Sequence, residues 1–112
     1  MALEAAEQIK KETGAEIEVI DLRSLLPLDT NAIIESVKKT SRLLVVHEDK
    51  VFSGFGAEVA AQIAKAAFEY LDAPIRRVGA TFTPVGFNRI LEKAILPNTE
   101  KIVAAATSLL NY

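Results

Sequence analysis

The side chains best able to do chemistry in this chain lie close together: His47, Glu48 and Asp49, followed by the segment Ser53-Gly54-Phe55-Gly56. Imidazole is the side chain suited to general acid–base work near neutral pH, so His47 is the first candidate for a base. In an extended chain adjacent residues point to opposite sides, so Glu48 and Asp49 build no dyad with His47 by spacing alone. Two readings stay open for His47: a base, or a histidine hydrogen-bonded at a strand end, which needs no further residue. The glycine segment also has two. Exposed backbone N–H groups at a helix start favour an anion, which would make residues 53–56 a phosphate cradle. The full dinucleotide fingerprint and the lysine of a P-loop are both missing, however. Glycines also permit a tight strand-to-helix turn and close packing, with Phe52 and Phe55 inserted between layers or into a partner. Arg76 and Arg77 would face opposite sides of a strand; an ion pair or interface is the main reading and an anion site the lesser one.

The elements around these residues must position them. Leu43-Leu44-Val45-Val46 has no polar face, the pattern of a strand covered on both sides by helices, which predicts a parallel α/β sheet. From Gly56 onward Val59, Ala60, Ile63, Ala64, Ala67, Phe68 and Leu71 fall on one helix face. In open α/β sheets ligands and partners gather at the carboxyl ends of strands, which places His47, Glu48 and the 53–56 loop first.

The remaining elements follow in order. Residues 2 to 13 form a predicted helix, with Leu3, Ala6, Ile9 and Lys10 along a face and Gly14 as a left-handed cap. Glu16 to Leu22 alternates as a strand does. Leu25-Leu26-Pro27-Leu28 reads as a packed turn, because proline lacks a ladder donor. Asp29 is suited to cap a helix whose buried side carries Ile33, Ile34 and Val37. Leu71-Asp72-Ala73-Pro74 stops the central helix, and a short strand follows at Ile75 to Gly79. A loop to Gly86, a helix from Phe87 to Leu96 and a last helix capped by Asn98 or Thr99 complete the chain. That helix carries an inner stripe of Ile102, Val103, Ala106, Leu109 and Leu110. This order predicts a three-layer fold. It supplies fewer strands than the roughly four to six usual for a sheet, so a further strand is expected ahead of residue 1.

With 112 residues the chain is one domain, residues 1–112, small for an enzyme that must enclose a substrate. A net charge of −2 and few aromatic residues argue against nucleic acid as a partner. No apolar run is long enough to span a membrane and the start lacks a signal-peptide pattern, so a cytoplasmic protein without membrane contact is expected. Cysteine is absent, which excludes disulfides and thiolate chemistry; a single histidine excludes a multi-histidine metal site.

Several segments together carry a resemblance: Ile20 to Asp29, Val46-His47-Glu48, Gly54 to Glu58, Phe68-Glu69-Tyr70-Leu71-Asp72-Ala73-Pro74 and Leu96-Pro97. In this order they resemble the C-terminal domain of the transketolase family, above all in beta subunits of thiamine-diphosphate-dependent 2-oxo acid dehydrogenases. The resemblance covers about Leu3 to Tyr112 and implies a three-layer α/β/α domain with a mostly parallel mixed sheet. It also implies a chain that is inactive alone and binds no cofactor, thiamine diphosphate and magnesium belonging to other domains of the full enzyme. The domain would join dehydrogenase domains and subunits, in a homo-oligomer, and border the active-site approach through His47, Glu48 and Phe55. It would dock the subunit-binding domain of the acyltransferase through Asp72 and the chain end at Tyr112. Family members open with a strand ahead of the helix at 2–13, so the chain is expected to be a fragment lacking that first strand.

One departure lies at Ala80 to Phe87, where Thr83 and Gly86 replace the acid and second proline of related beta subunits. It leaves the 2-oxo acid and a fused alpha–beta chain open, while Val46-His47-Glu48 leans toward a branched-chain substrate. The alternative is a freestanding α/β module that binds a phosphorylated ligand at residues 53–56.

Overall fold

Each of the first two helices ends on a left-handed residue. The computed structural model describes residues 1–22, 29–50, 54–80 and 97–112, with the backbone alone described for 48–50. Helix α1 (Ala2–Thr13) stops at Gly14, whose φ of 78° lets its N–H reach the Lys10 carbonyl at 2.9 Å. Ala5 and Ile9 are its buried residues. Leu3, expected on the inner face, is 70% exposed. It lies two residues from Ala5, about 200° around the helix, so both cannot face the core.

The expected strand at Glu16 to Leu22 does not form. Alternation prepares a face, but a strand needs a neighbour to complete its ladder, and none pairs with this segment among the described residues. Side chains tether it instead. Glu18 accepts a hydrogen bond from Ser36 Oγ at 3.0 Å and pairs with Lys39 at 3.5 Å, and Leu22 packs against the core. Ile17, Val19 and Ile20 remain exposed.

Helix α2 (Thr30–Thr40) begins as expected, with Asp29 Oδ1 accepting from the Ala32 N–H at 3.1 Å. Its buried residues are Ile33 and Val37. Strand β1 (Leu44–Lys50) runs parallel to β2 (Arg76–Ala80). Leu44, Val45 and Val46 pair with Arg76, Arg77 and Val78; the next pair is Lys50 with Ala80. Residues 47 to 49 of β1 thus stand opposite Gly79 alone, and the strand bulges beginning at His47.

The two faces of the sheet explain the uninterrupted apolar run of β1. Leu43 and Val45 pack with Ile33, Val37, Val59, Ile63 and Ala67 from α2 and the next helix, α3 (Phe55–Ala67). Leu44, Val46 and Val78 pack on the other face with Ala5 of α1 and Ile102 of the last helix, α4 (Thr99–Leu110). These are the three layers of an α/β/α fold. Burying a side chain such as Ile63, which is wholly enclosed, contributes about 1.5–3 kcal/mol.

Helix α3 ends earlier than its apolar spacing suggests. Ala67 is followed by a short 3₁₀ turn, Phe68–Tyr70, which rotates Phe68 out of the buried stripe and leaves it 76% exposed. Leu71 returns to the core and Ala73 is buried ahead of Pro74. In α4, Asn98 is the cap, its Oδ1 accepting from the Lys101 N–H at 2.9 Å. Ile102, Ala106 and Leu109 are buried, whereas Leu110 is exposed. The expected turn at Leu25 to Leu28, the loop from Thr81 to Gly86 and the helix at Phe87 to Leu96 lie outside the described residues.

Candidate functional site

The residues singled out by sequence divide between the two ends of the sheet. At the carboxyl half of β1, His47 begins the bulge and its ring lies against Gly56 in the first turn of α3. The residue is half-buried, and Nδ1 and Nε2 are both buried with no hydrogen-bond partner among the described residues. Gly54, also buried, caps α3 in extended conformation and accepts from the Ala57 N–H at 3.0 Å. Glycine at position 56 is required by close approach: a side chain there would collide with imidazole. Of the two readings of the loop, close packing is therefore realised at Gly56. Phe55 is half-buried and packs toward the α2–α3 core, between layers. The side chain of Glu48, and residues Phe52 and Ser53, lie outside the described parts.

At the amino end of the strands one turn bonds Asp72 and the end of α4, where Tyr112 follows. Ser41 closes α2 in the left-handed region, with φ of 62°, its N–H donating to the Val37 carbonyl at 2.7 Å. The Ser41 carbonyl accepts from the Asp72 N–H at 2.9 Å. The next residue, Arg42, donates from Nε to the Leu109 carbonyl of α4 at 2.8 Å. Tyr112 N–H reaches the same carbonyl at 3.3 Å. Asp72 and Tyr112 are both exposed. Thr40 Oγ1 steadies the turn, lying 2.9 Å from the Ser36 carbonyl and 3.1 Å from that of Arg42. Sequence reasoning passed over Arg42, whose partner lies 67 residues away and leaves no local signal.

Arg76 is exposed and Arg77 half-buried, and both border an open depression lined also by Pro74, Ile75 and Ala105. Among the described residues no three His, Asp or Glu side chains converge where a cation could be held. No helix among them is long and apolar enough to cross a membrane.

Comparison with known proteins bears on this arrangement. The family model of the transketolase C-terminal domain matches residues 1–102. The chain belongs to that family. This transketolase C-terminal domain is 45% identical over 112 residues to the pyruvate dehydrogenase E1 component subunit beta of Rickettsia felis, covering all of this chain and 34% of that protein. It is 46% identical over 109 residues to the acetoin:2,6-dichlorophenolindophenol oxidoreductase subunit beta of Bacillus subtilis, covering 97% and 32% of the two chains. The mitochondrial pyruvate dehydrogenase E1 subunit beta of Saccharomyces cerevisiae is 46% identical over 111 residues, with 98% and 30% covered. Among solved structures, a chain described as a split-gene transketolase, inactive beta4 tetramer, superposes with a TM-score of 0.76 at 27% identity, covering 98% of this chain and 34% of the other. The transketolase C-terminal domain thus spans about a third of the length of the relatives it matches.

Proposed function

We propose that this domain is the C-terminal part of a beta subunit, or of the beta portion of a fused chain, in a thiamine-diphosphate-dependent 2-oxo acid dehydrogenase. Its work there is assembly and docking rather than bond-making. The observation that carries the reading is the 45% identity to a pyruvate dehydrogenase beta subunit along the whole chain. Thiamine diphosphate, with magnesium, supplies carbanion stabilisation in the full enzyme and is held by its other domains. His47, Glu48 and Phe55 face the active-site approach or a neighbouring domain at the carboxyl half of β1. Asp72 and Tyr112 receive the basic subunit-binding domain of the acyltransferase, the Asp72 carboxylate accepting charge-assisted hydrogen bonds that govern register and encounter. The exposure of both residues, at the same end of the sheet, supports this assignment.

The substrate reading is a branched-chain 2-oxo acid, from Val46-His47-Glu48, within a family whose relatives are named for pyruvate and acetoin. The enzyme is cytoplasmic and its beta portions form a homo-oligomer, a reading supported by the tetramer description of the structural neighbour. The test is a dye-reduction assay of the complete dehydrogenase with pyruvate, a branched-chain 2-oxo acid and acetoin, with and without thiamine diphosphate. Cofactor-dependent turnover of a 2-oxo acid is expected, fastest with the branched-chain acid. Turnover of none of them would overturn the proposal.

A further inference from the structure

We propose that the depression at the start of β2 is a binding site for a small organic anion, a carboxylate carried on an apolar body, with Arg76 and Arg77 holding the carboxylate. The depression has a volume of about 380 Å³ and is lined by Pro74, Ile75, Arg76, Arg77 and Ala105. Two of these residues are cationic and none is acidic, in a chain whose net charge is −2. The local charge is thus opposite in sign to that of the whole protein, which draws an anion to one place.

Neighbouring residues of a strand point to opposite faces. Val78, on the same face as Arg76, packs with Ile102 on the α1 and α4 side of the sheet. Ile75 packs on the α2 and α3 side, the face that Arg77 shares with its register partner Val45. Both arginines border the one depression, so it reaches across β2, and a carboxylate seated there meets a guanidinium from either side. The backbone N–H of Arg76 is used by the ladder, donating to the Leu43 carbonyl at 3.2 Å. Its exposed guanidinium has no hydrogen bond or ion pair among the described residues, not even with Asp72. Such a guanidinium keeps its fork of donors for a ligand, and a carboxylate matches that fork with two parallel bonds.

The rest of the lining decides what the anion is attached to. Pro74 has no N–H to offer, Ile75 packs against the core, and Ala105 is half-buried on α4. These aliphatic walls give nothing to the further oxygens of a phosphate but do cover hydrocarbon, so a short aliphatic acid satisfies both halves of the site. The site stands at the amino end of the strands, away from His47, and does not depend on the proposed function.

The test is an amide-resonance titration of the isotope-labelled chain with butyrate, acetate and inorganic phosphate at constant ionic strength. Saturable shifts are expected at Ile75, Arg76, Arg77 and Ala105, with butyrate binding roughly three- to tenfold tighter than acetate or phosphate. Arg76→Gln should raise the Kd for butyrate roughly tenfold, and Arg76→Lys, which keeps the charge but loses the fork, by less. Lys65→Gln, at an exposed position of α3, makes the same change in net charge and should leave Kd unaltered. Because Arg76 is exposed its variants should keep the fold, which the unshifted remainder of each spectrum checks. Shifts that follow ionic strength alone, phosphate binding as tightly as butyrate, or unweakened binding by Arg76→Gln would each overturn the proposal.

Discussion

The imidazole of His47 rests against Gly56 so closely that a β-carbon at position 56 would overlap its Nε2 and Cδ2. The ring belongs to a strand and the glycine to the helix that follows, so the contact holds the β1–α3 turn. Gly56→Ala should destabilise the chain by about 1–3 kcal/mol, the cost of overpacking. This exceeds the roughly 0.5–1 kcal/mol that alanine gains over glycine inside a helix. Denaturant unfolding of Gly56→Ala, His47→Ala and the double variant checks it. The double variant should lose less than the sum, with a coupling of about 0.5–3 kcal/mol.

Burying both ring nitrogens of His47 with no partner among the described residues costs stability. His47→Leu, apolar and similar in bulk, should therefore leave the unfolding free energy of the chain unchanged or raise it by about 1 kcal/mol. A decrease larger than that in urea would show that the imidazole is satisfied within the domain. In the complete enzyme, if it is the proposed dehydrogenase, the same variant is expected to lower turnover, since the proposed approach role needs the polar ring.

Ser41 is the one non-glycine residue with positive φ among the described residues. A left-handed residue with a β-carbon costs about 1–2 kcal/mol, partly offset by the smaller chain entropy serine loses compared with glycine. Ser41→Gly should stabilise the domain by about 0.5–1 kcal/mol, read as a higher urea midpoint with unchanged slope.

Ile63 and Phe68 lie five positions apart, with opposite fates. Ile63 is enclosed between α3, α2 and the sheet, and Ile63→Ala should cost about 2–5 kcal/mol through the cavity it leaves. Phe68, despite its larger side chain, is 76% exposed, and Phe68→Ser should change stability by no more than about 0.5 kcal/mol. Thermal melts of the two variants order them directly.

Much of the architecture was legible because it is written in local chemistry. Gly14, Asp29 and Asn98 mark helix ends through the conformations or side-chain acceptors that those ends require, and all three do so in the structure. The apolar run at Leu43 to Val46 implied two covered faces, and the packing supplies them, with Val45 on one and Val46 on the other. Where several patterns agree on one element, propensity and tertiary packing reinforce each other.

The misreadings have a common cause. Glu16 to Leu22 alternates like a strand, but alternation cannot say whether a ladder partner is present. Phe68 keeps the helical spacing, yet the switch to a tighter turn after Ala67 carries it to the surface. Leu3 sits in a helix as expected, but which stripe is buried depends on where α4 lies.

From sequence alone came the layered α/β class and the residues worth watching, which rest on residue types and on periodicities set by backbone geometry, and the family, which rests on the resemblance of several segments. Only the tertiary structure decided that His47 lies against Gly56, that β1 bulges at His47, and that the Ser41–Arg42 turn bonds Asp72 and the Leu109 carbonyl at the end of α4. Such contacts join residues far apart along the chain. They depend on how helices and strands settle against one another, and a side chain such as Arg42 carries no mark of the carbonyl it will find.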